Sequence, residues 1–169
     1  MRLVYPNKKY LKSYNEAFQE YKQNNVSTYS LEDPNQVDVV KKYYNYRNNI
    51  NLKPGRVPQT TYWLVDAGKF IGEISIRHYL NDVLKTIGGH IGYGIRCSEW
   101  GKGFGTKILK LGLKKAKLMG LEKVLVTCND DNYGSAKVIE NNGGVLENIL
   151  ETENEGKTIR KRRYWINIE

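Results

Sequence analysis

Cysteine is nearly missing from this chain: Cys97 and Cys128 are the only two in 169 residues, too few for a disulfide framework. Histidine is as scarce, with His78 and His90 alone. These four side chains show no zinc-like ligand spacing, so no metal is expected. Long apolar runs are missing too. The longest span a few residues, far short of the ~18 that cross a bilayer, and nothing signal-like precedes Lys8 and Lys9. A membrane role is thereby excluded and a cytoplasmic location is expected. No internal repeat or low-complexity tract interrupts the sequence. Its length suits one domain, residues 1–169, large enough to bury roughly two thirds of its unfolded surface.

Positive charge is what the chain has in excess, with 27 basic against 18 acidic residues and a formal net charge of +9. Such a balance suits a polyanionic partner, either nucleic acid or a phosphorylated cofactor, and favours its encounter at low salt. The densest basic cluster, Lys157 with Arg160, Lys161, Arg162 and Arg163, runs into strand-like Tyr164-Trp165-Ile166-Asn167-Ile168. It reads as a solvated strand end, the usual meaning of a short charge run.

From Asn7 to Gln23, Tyr10, Leu11, Tyr14, Phe18 and Tyr21 recur at helical spacing. A second helix is expected from Asp33-Pro34, with Asp33 as cap, Pro34 at the first helical position and Gln36 completing a capping box, ending near Asn49. Asn51 to Pro58 holds two prolines and a glycine and reads as a loop. At Thr60 the period becomes two: Tyr62 to Val65, a turn at Asp66-Ala67-Gly68, then Phe70 to Arg77 form a hairpin. Alternation in the second strand puts Phe70, Ile74 and Ile76 on a core face and Glu73, Ser75 and Arg77 on a face that can line a polar cleft. A strand from His90 to Arg96 leaves Gly92 and Gly94 bare on one side, inviting close approach. The helix from Phe104 to Met119 keeps Lys107, Lys110, Lys114 and Lys117 in one sector. A buried strand from Glu122 to Cys128 follows, then capping residues Asn129 to Asn132, a helix to about Glu140, and two strands near Val145 to Glu151 and Thr158 to Ile168.

Between the His90 strand and the Phe104 helix lies Trp100-Gly101-Lys102-Gly103-Phe104-Gly105-Thr106. Glycines at alternate positions of a strand-to-helix corner let backbone N–H groups converge on an oxyanion, and the helix N-terminus adds partial positive charge. The ligand expected there is anionic. The spacing fits neither a dinucleotide fingerprint, whose third glycine would fall at Thr106 or Ile108, nor a Walker loop. An isolated glycine turn can equally serve helix–strand packing.

The order of elements, over nearly the whole chain, resembles the GCN5-related N-acetyltransferase (GNAT) superfamily. That family's cofactor loop, Gln/Arg-x-x-Gly-x-Gly/Ala, is similar to the stretch from Cys97 through Gly105, with Trp100 where Gln or Arg is usual. Val126 to Gly144 resembles the next strand–helix segment, with Asn132 at the family's cofactor-contacting asparagine. The resemblance implies a mixed α/β (α+β) three-layer fold, a central, mostly antiparallel twisted sheet flanked by helices. It also implies acetyl-CoA as co-substrate, its pyrophosphate on the amides of Trp100, Gly101, Lys102, Gly103, Phe104, Gly105 and Thr106 and its pantetheine arm along Ile95, Arg96 and Cys97. Asn132 and Ser135 complete the implied contacts, and Lys102 can meet a phosphate or simply be solvated.

The same resemblance implies direct acetyl transfer to a primary amine within a ternary complex, without an acyl-enzyme. Cys128 is accordingly no nucleophile candidate. The family's thiolate-protonating tyrosine is replaced by Ile139; Tyr133 is near in sequence but points elsewhere from its helix start. The loss is tolerable because a thiol of pKa about 8.5 leaves far more readily than an amine. On the acceptor side, an amine of pKa near 10.4 is neutral in only about one part in 2,500 at pH 7, so a base must free its lone pair. Glu73, His78 and His90 are the candidates, each with a structural alternative: Glu73 paired with Arg77, the histidines bonded at strand ends or to loop carbonyls. Tyr10, Tyr14, Tyr43, Tyr44 and Tyr46 with the Asn51 to Pro58 loop form an acceptor wall or pack the core. The acceptor is an amine-bearing small molecule, peptide or protein, and homodimers are frequent among relatives. The competing reading is a basic, non-catalytic module on the same fold that binds CoA or nucleic acid, although no recognised nucleic-acid motif is present.

Overall fold

The computed structural model describes residues 1–154 and 156–168. A short strand β1 (Arg2–Val4) and a 3-10 turn at Lys8–Tyr10 lead into α1 (Leu11–Gln23) and α2 (Val39–Arg47). The hairpin β2 (Gln59–Asp66) and β3 (Lys69–Arg77) is followed by a short α3 (Asp82–Thr86), β4 (Ile91–Ile95) and α4 (Phe104–Leu118). The chain then forms β5 (Lys123–Asn129), α5 (Tyr133–Glu140), β6 (Val145–Asn154) and β7 (Lys157–Asn167). The strands make one sheet in the order β1-β2-β3-β4-β5-β7-β6, antiparallel throughout except between β4 and β5. Helices cover both faces, which gives the three layers expected from the sequence.

Each face has its own core. Under α4 and α5, Ile74, Ile76, Ile91, Val124 and Val126 of the sheet meet Ile108, Leu109, Ala116 and Ile139. Under α1 and α2, Tyr14, Ala17, Tyr21, Val39 and Tyr43 meet Trp63, Val65 and Phe70. The aromatic centre of this second core is ordered, with Tyr14 stacked on Trp63 at 4.7 Å and Phe70 edge-on to both. Such pairs add about 0.5–1.5 kcal/mol beyond the area they bury.

Two boundaries differ from the sequence expectation. The second helix begins at Val39, not Pro34, because Asp38 is the residue whose carboxylate accepts the Lys41 N–H, at 3.0 Å. Asp33 instead accepts from the Asn35 N–H at 2.9 Å and closes a turn over 34–36. The hairpin also carries a bulge. Leu64 pairs with Gly72 but Val65 with Phe70, so Ile71 has no partner and the alternation reverses there. Phe70 therefore joins the Trp63 face, together with Glu73, and Ile71 takes its place in the α4 core.

The turn between β2 and β3 has Ala67 at φ 44° and Gly68 at φ 80°, the left-handed pair that matches strand twist in a tight hairpin. The basic run lies inside β7, flanked by β5 and β6, and is not a free strand end. Three of its five charges are paired: Arg160 and Arg162 with Asp130 at 3.3 and 2.8 Å, Arg163 with Glu147 at 2.7 Å.

Candidate active site

Parallel β4 and β5 touch at a single register pair, Ile91 with Val126, supported by the His90 N–H to the Leu125 carbonyl at 2.7 Å. Beyond it the strands diverge. The gap opens into a cavity of about 720 Å³ bounded by β4, β5, the 100–106 loop and the start of α5. Gly103 is the N-cap of α4 at φ 77°, and no side chain caps this helix start. By helix geometry the N–H groups of Phe104, Gly105 and Thr106 have no intrahelical acceptor. These three residues line the cavity together with Gly101, which also sits at positive φ, 73°. A Cβ at Gly101 or Gly103 would meet nothing within 4 Å, so the space over the loop is open. An uncapped helix end, bare backbone and an open approach fit a phosphate group.

Ile95, Trp100, Asn132 and Ser135 also line this cavity. Asn132 caps α5 by accepting the Ser135 N–H at 3.0 Å, and Ser135 Oγ lies 2.8 Å from the Tyr93 hydroxyl. The Ile95 carbonyl accepts two bonds, from Tyr21 Oη at 3.0 Å and from the Trp100 indole N–H at 2.6 Å. Trp100 thus folds its ring back onto the end of β4 while remaining half exposed.

On the α1/α2 side of β3 a second cavity, of about 670 Å³, is lined by the polar face of that strand. Its inner wall holds Glu73, which is 1% exposed. Oε1 accepts the hydroxyls of Tyr29 and Tyr43, each at 2.9 Å, and Oε2 accepts the Trp63 indole N–H at 2.9 Å. Burial pushes the Glu73 pKa up to about 7, and the three donors restrain that rise. Tyr29 and Gly92 border both cavities, so the two compartments meet across β4. The bareness of Gly94 has a visible cause, whereas a Cβ on Gly92 would only touch the Tyr29 ring at 3.4 Å. A Cβ on Gly94 would lie 2.5 Å from Tyr21 Oη and 2.6 Å from the Tyr29 ring.

Residues 10–145 match the family profile described as an acetyltransferase (GNAT) domain. The chain belongs to the GNAT acetyltransferase family. Solved structures agree in fold. A microcin C7 self-immunity acetyltransferase, solved with acetyl-CoA and AMP, superposes with a TM-score of 0.75 at 18% identity, covering 98% of this chain and 91% of that one. A ribosomal L7/L12 alpha-N-protein acetyltransferase, solved with coenzyme A, gives 0.75 at 16% identity, with 98% and 93% covered. The spermidine N-acetyltransferase of Vibrio cholerae gives 0.67 at 19% identity, with 99% and 95% covered. No curated protein sequence matches significantly.

In this GNAT chain the other expected site residues are distributed unevenly. Arg96 is 5% exposed, and its guanidinium donates to Glu20, Ser13 and the Phe70 carbonyl, so its side chain anchors α1 rather than facing a cavity. Cys97 packs against the α1/α2 core. Lys102 bonds the Ser98 carbonyl at 3.0 Å and Glu99 at 2.9 Å. Lys69 and Lys102 together hold the Glu99 carboxyl down at about 2.

His78 Nε2 lies 2.9 Å from Thr60 Oγ1, and His90 Nδ1 accepts the Leu125 N–H at 2.9 Å. Neither histidine lines either cavity. Burial, aided by Arg77, pushes His90 down to about 4, so it is neutral at pH 7. Burial raises the Cys128 thiol to about 11. Ile139 is buried in the α4 core, and Tyr133 is exposed, with Arg162 5.5 Å from its ring.

Of the tyrosines expected at an acceptor wall, Tyr43 and Tyr46 line the second cavity. Tyr10 and Tyr14 are core residues and Tyr44 is exposed. Tyr29, Tyr93 and Trp63 were missed. Tyr29 sits in an irregular connection without periodicity, and strand alternation alone does not single out Trp63 or Tyr93. Among the described residues no cluster of three or more His, Cys, Asp or Glu could hold a metal, and no helix is long and apolar enough to cross a membrane.

Proposed function

We propose that this chain, acting as one domain, transfers an acetyl group from acetyl-CoA to a primary amine. The amine would enter through the second cavity and the cofactor would lie in the first. The observation that carries the reading is the junction of the two cavities at Tyr29 and Gly92, with a buried carboxylate bonded to Tyr29. Acetyl-CoA supplies an activated acetyl thioester. The N–H groups of Gly101 to Thr106 would hold its diphosphate, and the Ile95 carbonyl would accept a bond from its pantetheine arm once Trp100 swings out. Asn132 and Ser135 keep the α5 end of the slot in place.

On the amine side, the Tyr29 oxygen can accept the amine's proton while its own proton passes to Glu73 Oε1. The nitrogen would form its bond to the acetyl carbon as the carbon–sulfur bond breaks, and the thiolate would take a proton from solvent, to which Glu73 would release the one it accepted. With its pKa near 7, Glu73 is poised to accept at neutral pH, whereas a carboxylate at its ordinary 4.5 would be a weaker base. The two histidines are placed for hydrogen bonding within the sheet and loops, which favours Glu73 as the base.

Saturating acetyl-CoA, at about 100-fold over Kd, should add about 2.7 kcal/mol of stability and raise the melting temperature. Gly103→Val should stay folded, because its Cβ meets open space, yet lose the shift, since valine at positive φ distorts the cradle. A folded Gly103→Val protein with undiminished stabilisation would remove the loop from the proposal. Tight, salt-sensitive nucleic-acid binding without any acetyl-CoA effect would favour a non-catalytic module instead.

A further inference from the structure

The second cavity has an imbalance of charge that the transfer reaction does not use. Five ionisable side chains other than tyrosine border it: Glu32, Lys42, Arg56, Glu73 and Arg77. Glu32 and Lys42 neutralise each other at 2.7 Å. Glu73 is enclosed by its three aromatic donors. Arg56 and Arg77 remain, and among the described residues neither has a carboxylate within 4.0 Å.

The Arg77 guanidinium is held in place, whereas Arg56 is exposed and only the backbone that carries it is fixed. One nitrogen of Arg77, NH1, donates to the carbonyls of Gly88 and Gly89 at 3.0 and 2.9 Å, which fixes the plane and leaves the rest of the fork for another acceptor. Arg56 lies on a turn closed by its own N–H to the Lys53 carbonyl at 3.1 Å, and Asn81 ties that turn down through the Gly55 carbonyl at 3.0 Å. The Arg56 side chain makes no hydrogen bond among the described residues. The charge of Arg56 acts on Arg77 in the same direction as burial, disfavouring the protonated guanidinium. Two like charges on one cavity wall are stabilised when an anion lies between them, and guanidinium forks match carboxylate and phosphate oxygens bidentately.

We infer that the acceptor is an amine that also carries an oxyanion, a carboxylate or phosphate, with Arg77 and Arg56 gripping the anion while the amine reaches Tyr29 and Glu73. The inference rests on the acetyl-transfer reading and specifies its substrate class. Glu73 and Arg77 lie on the same face of β3, four residues apart, so their Cα atoms are separated by about 13 Å. The amine and the anion therefore belong at opposite ends of the acceptor. A polycation such as spermidine would meet two uncompensated guanidiniums and is disfavoured.

The test measures thiol release with acceptors matched in their amine: a lysine-containing dipeptide with a free C-terminal carboxylate, its C-terminal amide, an ω-aminoalkyl phosphate, the corresponding amino alcohol, and spermidine. The anionic member of a pair should have a kcat/KM at least 10-fold above its neutral counterpart, and the better pair tells carboxylate from phosphate. Arg56→Ala and Arg77→Ala should raise KM for the anionic acceptor about 10- to 100-fold, the range for charged hydrogen bonds, with little change in kcat. Arg56→Ala should lose several-fold less with the neutral acceptor than with the anionic one, and should keep the acetyl-CoA thermal shift. Arg56→Ala guards against misfolding, because that side chain holds no part of the fold. Equal turnover of anionic and neutral acceptors, preference for spermidine, or equal losses on both acceptors in the variants would overturn the inference while the acetyl-CoA shift persists. Loss of that shift in the unmodified protein would overturn the underlying reading, and this inference with it.

Discussion

At the level of single residues the proposed chemistry turns on Glu73. Its carboxylate is buried, accepts three hydrogen bonds and has no cationic partner among the described residues. If it is the base, kcat/KM should rise with pH through about 7 as Glu73 deprotonates, and Glu73→Gln should lose about 10²–10⁴-fold in rate together with that limb of the profile. Trp63→Phe removes one donor to the ionised form. Its limb should move to higher pH with the plateau rate largely kept, a response that a purely structural role for the indole would not give. An unchanged limb in Glu73→Gln would assign the base elsewhere. The sequence placed Glu73 on the polar face of a central strand, and alternation was enough for that. Its three donors were not legible, because Tyr29 comes from an aperiodic connection, Tyr43 from α2 and Trp63 from the neighbouring strand, and only the folded layers bring them together.

Among the elements, α4, β5 and α5 were read nearly to the residue. Their signals are local: a glycine corner, a continuous β-branched run and an asparagine cap. The start of α2 was misplaced because Asp33-Pro34 and Asp38 both offer capping chemistry within six residues, and the choice depends on where the α1/α2 core needs Val39 and Tyr43. Asp38→Ala should cost about 1 kcal/mol, the usual loss of an N-cap, which in a chain of this size lowers the melting temperature by about 2–4 °C. Asp33→Ala should cost less than half as much. Calorimetry of the two variants checks the boundary, and a larger loss at Asp33 would restore the earlier start. The β3 bulge was likewise invisible. Strict alternation assigned Phe70 to the Ile74 face, whereas the extra residue Ile71 turns Phe70 onto Trp63 and Tyr14 and so builds the aromatic wall behind Glu73.

Over the whole molecule, two buried groups oppose each other in their pH dependence. Glu73 has a folded pKa raised to about 7 from its ordinary 4.5, so the folded state holds more protons between those values and stability falls as pH rises through that window. The full effect is roughly 3 kcal/mol. His90 is lowered from 6.5 to about 4, so there the unfolded state holds more protons and stability rises with pH between those values. Burial lowers His78 as well, in the same sense as His90, so the unmodified protein should gain less from pH 5 to 6.5 than it would without Glu73, and weaken toward 7. Glu73→Gln should gain more stability across pH 5 to 6.5, because only the histidine contributions remain. Urea titrations of both proteins test this, and parallel curves would mean that Glu73 ionises normally. The fold class was legible through the family resemblance that element order and the glycine corner carry, and hydrophobic period and turn chemistry set those two features. The charge excess was less informative, since much of the basic run in β7 is neutralised by Asp130 and Glu147.

The central claim is that main-chain amides at the β4-to-α4 corner bind the diphosphate of acetyl-CoA. Amide resonances followed during titration with coenzyme A test it most directly. The largest shifts should fall on Gly101, Gly103, Phe104, Gly105 and Thr106, with the Trp100 indole N–H moving as it leaves the Ile95 carbonyl. Saturable binding that leaves these amides unmoved and shifts others would contradict it.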